Sequence, residues 1–332
     1  MPSQTNEQAL EAAIEKALTG TCLEDLKAQG QDTVANPPAH YRTGQGYHIG
    51  WPADFNKELA LDEKRFWHFL ESTQSEELDK LRKQPQYQLR IMQRLDRMIK
   101  KYGVLRLIRK GLDVDDAHFT LFYVAPLASS SALIKERFES NEFSVTRQLR
   151  YSTANPLQEI DMVIFINGIP IITMELKNHW TGQTARVQGI NQYCKRDISQ
   201  PLLQFGRCIV HLAVDTDEVF MCTKIIKSKT SNFLPFNKGY ENGIGNPPNK
   251  KGHKTAYLWE EILSRRSLAN ILQHFVRFNG KGTDPLKSRT LFFPRYHQLD
   301  VVRSILRDAA NNGVGQKYLI QHSAGSGKSN SI

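Results

Sequence analysis

The spacing of apolar residues predicts helices at the start of the chain and through much of its second quarter. Thr5, with Gln8 three residues later, can cap a helix over residues 6–18. A longer helical stretch covers residues 59–101, because apolar side chains recur there at spacings of three and four. Its clearest apolar stripe consists of Ile91, Leu95, Met98, Ile99 and Tyr102.

From residue 118 the pattern changes to short segments rich in β-branched and aromatic residues, which predict strands. These segments are residues 118–124, 143–152, 159–166, 169–177, 208–214 and 218–225. Helical periodicity returns over residues 183–195 and 258–278. Polar, glycine-rich stretches at residues 237–254 and 279–288 predict loops.

Composition excludes several classes of protein. Hydrophobic residues make up 40% and charged residues 23% of the 332, which is typical of globular chains and not of disordered or fibrous ones. The longest apolar run, residues 160–174, is interrupted by Asp161 and Pro170, so no segment predicts a membrane span. The first residues do not resemble a signal peptide, and we therefore expect a cytoplasmic protein.

The cysteines do not predict a disulfide framework or a zinc site. None of the four belongs to a C-x-x-C pair. They are Cys22, Cys194, Cys208 and Cys222.

Positive charge favours a polyanionic partner. Lysine and arginine number 44 against 34 acidic residues, a formal charge of +10. Residues 82–110 hold ten basic residues and one acid. Four of the ten repeat on the predicted helix face opposite the apolar stripe and suit DNA phosphates, although a solvated basic face fits equally. They are Arg90, Arg94, Arg97 and Lys101.

The predicted strand over residues 169–177 carries unusual polar residues. Alternation places Thr173, Glu175 and Lys177 on one face, and burying charge there is costly unless it is paired or binds a ligand. Asp161 lies on the preceding strand, across an Asn-Gly turn. A two-residue turn would set Asp161 opposite Met174, on the wrong face. We therefore predict a bulged, three-residue turn that sets Asp161 opposite Thr173.

Two carboxylates that meet beside a lysine suit Mg²⁺ and the hydrolysis of a phosphodiester. In this interpretation Asp161 and Glu175 hold the metal, and Lys177 assists the attacking water. The residues alone leave open an alternative, a hairpin with a surface ion pair.

Together these residues resemble a known family. Asp161 followed by Glu175-Leu-Lys177 resembles the PD-(D/E)xK nuclease pattern, with Ile160 at the position where proline often stands. Residues 143–150, the turn over 167–170 and residues 175–178 narrow the resemblance to the nuclease domain of the type I restriction enzyme R subunit, HsdR. This resemblance implies an α/β fold with a mixed sheet flanked by helices.

The resemblance also implies supporting residues for the site. Family members carry a glutamine and a tyrosine four residues apart on the next helix, whereas Gln188 and Tyr193 are five apart here. Many such nucleases add an acid from an early helix, and Glu11 is the candidate, with a solvated helix face as the alternative.

A glycine-rich segment near the end of the sequence predicts a phosphate loop. A short apolar strand, residues 318–320, precedes the loop. The backbone N–H groups of the loop would wrap phosphates, while Lys328 contacts the phosphates and Ser329 binds Mg²⁺. Its residues are Gly325, Ser326, Gly327, Lys328 and Ser329. Residues 294–298 resemble the Q motif of superfamily 2 helicases, whose glutamine, here Gln298, reads adenine.

The resemblance to the R subunit implies an order of domains. The chain begins with a nuclease domain over residues 1–235, which contains a helical, basic insertion near 55–115. A linker over 236–255 and a helical connector over 256–288 follow, and the start of a RecA-like ATPase domain occupies 289–332. No Asp-Glu box follows Ser329, so we expect this chain to lack ATP hydrolysis.

The family implies a function that needs more than this chain. It is a type I site-specific deoxyribonuclease that uses Mg²⁺, driven along double-stranded DNA by ATP and joined to methylation and specificity subunits. Another nuclease–helicase fusion, such as a repair enzyme, and a catalytically silent DNA-binding or assembly module are the alternatives.

Overall fold

A computed structural model of the chain describes residues 3–28, 44–178, 182–241, 243–322 and 327. Its α-helices are α1 Ser3–Thr19, α2 Leu23–Ala28, α3 Glu63–Thr73, α4 Ser75–Arg82, α5 Tyr87–Tyr102, α6 Val104–Lys110, α7 Ala132–Glu139, α8 Ile190–Lys195, α9 Arg265–Asn270 and α10 Tyr296–Asn312. Its strands are β1 His48–Ile49, β2 Phe55–Asn56, β3 Leu61–Asp62, β4 Leu112–Val114, β5 Ala117–Phe119, β6 Phe143–Arg150, β7 Glu159–Ile166, β8 Ile169–Leu176, β9 Val210–Val214, β10 Val219–Cys222, β11 Leu234–Pro235, β12 Arg277–Asn279 and β13 Thr290–Phe292.

A seven-stranded mixed sheet forms the centre of the structure, in the order β1-β6-β7-β8-β9-β10-β11. Neighbouring strands are antiparallel except for the pairs β1–β6 and β8–β9, which are parallel. The parallel pair β8–β9 needs a long crossover, and α8 lies within it. The predicted mixed sheet with helices is thus confirmed.

Both faces of the sheet are buried, which explains why the central strands are almost continuously apolar. Met162, Ile164 and Met174 belong to one apolar cluster together with Leu10 of α1. Val163 and Phe165 point the other way, into a second cluster that includes Ala185, Ile190 and Tyr193. The sheet therefore lies between two layers that contain helices.

The turn between β7 and β8 has two residues, so the prediction of a three-residue loop is wrong. Ile166 pairs with Ile169, and Asn167 and Gly168 adopt φ values of 51° and 78°. These are the left-handed angles of a tight hairpin turn. Glycine is required at residue 168, because a Cβ there would lie 2.4 Å from the carbonyl oxygen of Asp62.

The predicted helical stretch over residues 59–101 is confirmed, but it is divided into α3, α4 and α5, and α6 follows it. The apolar stripe of α5 is turned inward, with Ile91, Leu95 and Ile99 buried. Gly103, with φ of 82°, separates α5 from α6. In contrast to the predicted strand over residues 118–124, only a short β5 forms there.

The predicted linker and connector contribute to the same core as the sheet. Phe236, Leu258 and Leu268 all lie in the cluster that contains Leu10. The boundary drawn from the sequence therefore does not coincide with a break in apolar packing, and the division into domains stays a prediction.

The strand predicted at residues 318–320 is absent, and the prediction was wrong at this place. These residues have no regular secondary structure, and Leu319 is 94% exposed. A strand needs a hydrogen-bonded neighbour and a face to bury, and Leu319 has neither among the described residues. Of the predicted phosphate loop, Gly325, Ser326, Lys328 and Ser329 lie outside the described residues. No helix in the described ranges is long and apolar enough to cross a membrane.

Candidate active site

A bulge in β8 brings the two predicted carboxylates together. Phe165 pairs with Pro170, but the next residue of β7, Ile164, pairs with Ile172, so Ile171 is an extra residue. The register continues through Met162 and Met174 and therefore sets Asp161 opposite Glu175. The prediction of a bulged turn with Asp161 opposite Thr173 is therefore wrong: the bulge lies inside β8, and Thr173 pairs with Val163.

Glu175 is fully buried, and one of its two oxygens is unpartnered. Its relative exposure is 0%, and Oε2 has no hydrogen-bond partner among the described residues. Burial raises the pKa of Glu175 well above its usual value, and the nearby carboxylate of Asp161 raises it further. Such a site favours either a shared proton or a cation between the two carboxyl groups.

Asp161 is fixed by the backbone of the neighbouring strand. The Leu176 N–H donates to Asp161 Oδ2 over 2.6 Å. Burial raises the pKa of Asp161, while the ammonium of Lys177 and this backbone hydrogen bond oppose the shift. One carboxylate oxygen is thus held in place.

Lys177 reaches back over the end of β8. Its Nζ donates to the carbonyl oxygen of Leu176 over 2.8 Å and lies 3.9 Å from Asp161 Oδ2. Gly189 packs beside its stem: a Cβ there would meet Lys177 Cγ at an ordinary contact distance of 3.6 Å and Ala213 Cβ at a tighter 3.1 Å. The ammonium group therefore stands beside the carboxylate pair, as the strand alternation predicts.

Sequence reasoning missed Arg196, which follows α8. Its Nη2 donates to Glu175 Oε1 and, over 2.6 Å, to the carbonyl oxygen of Glu159. Its Nη1 donates to the hydroxyl of Tyr151 over 3.2 Å. No local sequence pattern identifies Arg196, since the contact depends on how α8 docks on the sheet.

The early helix contributes Glu7 more directly than the predicted Glu11. Glu7 Oε1 lies 3.6 Å from Lys177 Nζ. Glu11 is paired with Arg147, whose Nε donates to it over 2.9 Å, and burial raises the pKa of Glu11 to about 7. The signal was available, because Glu7 precedes Glu11 by one helical turn and shares its face.

The two predicted supporting residues differ in their surroundings. The Tyr193 hydroxyl is buried and shares a 2.8 Å hydrogen bond with Thr173 Oγ1, two residues before Glu175 on the same face of β8. The carbonyl oxygen of the Gln188 side chain instead accepts the Thr184 N–H over 2.8 Å. The extra residue between Gln188 and Tyr193 coincides with a π-helical turn, Ala185–Gly189, which holds one residue more than an α-helical turn.

The donor set fits a hard divalent cation. The carboxylates of Asp161 and Glu175 offer oxygen ligands, and no described residue donates to the buried Glu175 Oε2. Among the described residues no three His, Cys, Asp or Glu side chains form a metal-binding group. Water, a backbone carbonyl or a substrate phosphate would supply the other ligands, as is common for Mg²⁺.

A groove of about 530 Å³ lies over the Arg150 end of β6 and the Glu159 end of β7. Gln148 interrupts the β6–β7 ladder at the position opposite Asp161 and has a left-handed φ of 48°. Strained backbone of this kind is concentrated at functional sites. The groove is lined by residues that include Gln8, Lys27, Trp51, Gln148, Arg150 and Glu159.

The predicted basic face lies at the other end of the sheet from the carboxylates. Asp96 of α5 is paired with Arg207, which precedes β9, whereas Glu175 pairs with Ala213 further along β9. The six residues from Arg207 to Ala213 correspond to about 20 Å along a strand. Arg90 is paired with Asp115 at 2.9 Å.

A smaller basic cluster stands out on this face. Lys101 Nζ and the Arg106 guanidinium carbon lie 5.0 and 4.1 Å from the ring centre of Tyr102. Arg94, Lys101 and Arg106 together lower the pKa of the Tyr102 hydroxyl, with the hydrogen bond from Lys101 as the largest cause. Arg97 is exposed on the same helix, α5.

Gln298 is the described residue that contacts the predicted phosphate loop. Its Nε2 donates to the carbonyl oxygen of Gly327 over 2.8 Å, and its Oε1 accepts the Arg295 N–H over 2.9 Å. Gln298 and Gly327 border a cavity of about 290 Å³ that is also lined by Leu291 and Phe293.

Comparison with known proteins agrees with this architecture. A family profile described as the type I restriction enzyme R protein N terminus matches residues 44–230, more than half of the chain. A putative type I restriction enzyme MjaVIIIP endonuclease subunit from Methanocaldococcus jannaschii is 24% identical over 197 residues, which are 58% of this chain and 18% of that protein. The chain thus matches about a fifth of that relative. The family predicted from the sequence is confirmed: the chain belongs to the type I restriction enzyme R protein N-terminal family.

Proposed function

We propose that this chain is a Mg²⁺-dependent endonuclease that hydrolyses DNA phosphodiesters, as the nuclease part of a type I restriction R subunit. The observation that carries the proposal is the convergence of Asp161 and Glu175, whose Oε2 is buried and has no hydrogen-bond partner in the part of the chain that the structure describes. Family membership and the similarity to a protein described as an endonuclease subunit support it.

Each residue of the site has a role in this proposal. Asp161 and Glu175 hold Mg²⁺, which when bound would polarise the phosphodiester and offset the developing negative charge. Lys177 orients the attacking water, because its ammonium lies 3.9 Å from Asp161 Oδ2 and has donors to spare. The Leu176 N–H fixes Asp161, so that little reorganisation is required when substrate arrives.

The groove lined by Gln148, Arg150 and Glu159 would receive the DNA strand that is cleaved. Arg150, with a side chain 63% exposed, and Lys27 offer cations for phosphates, and Trp51 offers an aromatic ring. The distant basic face of α5 would hold the same duplex farther along, since a duplex presents phosphates over tens of ångströms.

In the full-length protein, ATP would drive translocation along double-stranded DNA. Gln298 would read the adenine, while Gly325, Ser326, Gly327, Lys328 and Ser329 would hold the phosphates and the Mg²⁺ that accompanies them. The contact between Gln298 and Gly327 supports this proposal. Methylation and specificity subunits would be the protein partners.

Replacement of Glu175 tests the nuclease proposal. Glu175→Ala should reduce Mg²⁺-dependent cleavage of linear duplex DNA by at least about a thousandfold, because the metal loses a ligand. DNA affinity measured in EDTA should stay within about twofold of wild type. Glu76→Ala, at an exposed position of α4, is the matched control. Cleavage by a purified, folded Glu175→Ala protein at the wild-type rate would contradict the proposal.

A further inference from the structure

Arg196 links three elements of the site from a buried position. It is 8% exposed, and its guanidinium contacts Glu175, the carbonyl oxygen of Glu159 and the hydroxyl of Tyr151. Glu175 is at the end of β8, Glu159 begins β7 and Tyr151 follows β6. The arginine therefore fixes the positions of three adjacent strand ends relative to α8.

The contact with Arg196 gives the two Glu175 carboxylate oxygens different surroundings. Oε1 accepts from Arg196 Nη2, whereas Oε2 is buried and has no partner among the described residues. A carboxylate that is anchored through one oxygen cannot rotate freely, so its other oxygen keeps one direction. Asp161 lies opposite Glu175 in the same register.

Another cation of the site does not duplicate this contact. Lys177 Nζ donates to the carbonyl oxygen of Leu176 and lies near Asp161 and Glu7. The residue at position 196 has to donate to three separate acceptors, a carboxylate, a carbonyl and a hydroxyl. A planar guanidinium suits these acceptors because its N–H donors diverge in a rigid fork. A lysine has a single nitrogen and could satisfy these three acceptors only poorly.

Building on the proposed function, we propose that Arg196 is a positioning residue of the nuclease site, which holds Glu175 so that Oε2 is presented to the divalent cation together with Asp161. Arg196 has this effect through Glu175 and does not touch the substrate. Outer contacts of this kind commonly change metal affinity by 10- to 100-fold.

Metal binding without substrate provides the first test. Calorimetric titration of the 332-residue chain with MgCl₂, in the absence of DNA, should give an affinity about tenfold weaker for Arg196→Gln than for wild type. Arg196→Lys should recover part of the loss because it restores the positive charge and N–H donors on a single nitrogen. Arg186→Gln is the control, since Arg186 lies in the π-helical turn before α8 and forms an exposed ion pair with Glu218, which precedes β10.

Cleavage provides the second test. For Arg196→Gln the Mg²⁺ concentration that gives half-maximal cleavage should rise about tenfold, while the KM for DNA stays within about twofold. A folded Arg196→Gln protein with the Mg²⁺ affinity and Mg²⁺ dependence of wild type would overturn the proposal, and so would tighter Mg²⁺ binding.

A second variant covers the case in which Arg196→Gln does not fold. Tyr151→Phe removes only the hydroxyl that Arg196 contacts and should weaken Mg²⁺ affinity by about two- to threefold; unchanged affinity would count against the proposal. The outcomes distinguish the two proposals. If Glu175→Ala loses Mg²⁺ binding but Arg196→Gln and Tyr151→Phe do not, the positioning role alone fails. If the wild type binds no Mg²⁺ and cleaves no DNA, the proposed function fails.

Discussion

Asp161 lies opposite Glu175, and not opposite Met174, because Ile171 adds one residue to β8 between the turn and the site. In a strand, a shift of one residue turns every side chain to the other face. Without the bulge, the two-residue turn at Asn167 and Gly168 would direct Asp161 away from Glu175. The candidate metal site thus depends on a bulge of one apolar residue.

Glu11 should make the stability of the protein depend on pH. Burial raises its pKa to about 7 from an ordinary 4.5, so between these values the folded chain binds a proton that the unfolded chain releases. Stability therefore falls as pH rises through this window. Glu11→Gln removes this titration, and the free energy of unfolding of the variant relative to wild type should increase between pH 4.5 and 7.5 by up to about 3 kcal/mol.

Urea denaturation at three pH values in EDTA checks this expectation. Glu76→Gln, at an exposed position, should show the same difference from wild type at every pH. An equally constant difference for Glu11→Gln would mean that Glu11 ionises normally in the folded protein.

Thr173 and Tyr193 should be energetically coupled. Thr173 Oγ1 hydrogen-bonds to the Tyr193 hydroxyl at 2.8 Å and to His211 Nδ1 at 2.7 Å, all buried. Burial lowers the pKa of His211 to about 3, so the ring is neutral at neutral pH. Thr173→Val leaves two buried polar groups without this partner and should cost about 1–3 kcal/mol.

A double-mutant cycle with Tyr193→Phe measures the coupling. The double variant should lose about 1 kcal/mol less stability than the sum of the two single losses, because each single variant removes the same hydrogen bond. Thr230→Val, at an exposed position, should change stability by less than about 0.5 kcal/mol. Strict additivity of the first pair would show that the hydrogen bond contributes nothing to stability.

Gln298→Ala should loosen the start of α10 and its contact with Gly327. The variant loses one hydrogen bond to the Arg295 N–H and one to the Gly327 carbonyl oxygen, each worth about 1 kcal/mol. Amide exchange in the first turn of α10 should become about tenfold faster, and any affinity for an ATP analogue should decrease. Gln316→Ala, at an exposed position, is the control. Unchanged exchange and nucleotide affinity would contradict a role for Gln298 in holding the loop.

The basic face of α5 should reveal DNA binding through its salt dependence. Reversing Arg94 and Arg97 to glutamate should weaken duplex binding and flatten the slope of log affinity against log salt by about 0.9 for each phosphate that the protein no longer neutralises. Lys80→Glu with Arg82→Glu is the matched control, because both residues form ion pairs with acidic residues of α4. An unchanged slope in the first variant would remove this face from the DNA-binding surface.

Residues and their spacing predicted much of the chain. Periodicity located the apolar stripe of α5, because burial of one face leaves a regular trace in a sequence. A run of β-branched and aromatic residues indicated the bounds of β7. The two carboxylates and the lysine were identified by residue type and alternation along β8. The motif with its surroundings was sufficient to predict the family that residues 44–230 match.

Other features required the tertiary structure. The register of a hairpin with a bulge depends on packing on both faces of the sheet, and so the meeting of Asp161 with Glu175 was misplaced by sequence reasoning. Arg196 and Glu7 reach the site from elements that are distant in sequence, and no local pattern reports such contacts. Residue types and their periodicity establish which chemical groups are present and which elements carry them. Which of these groups meet depends on the folded chain, because contacts between distant segments arise when the whole core packs.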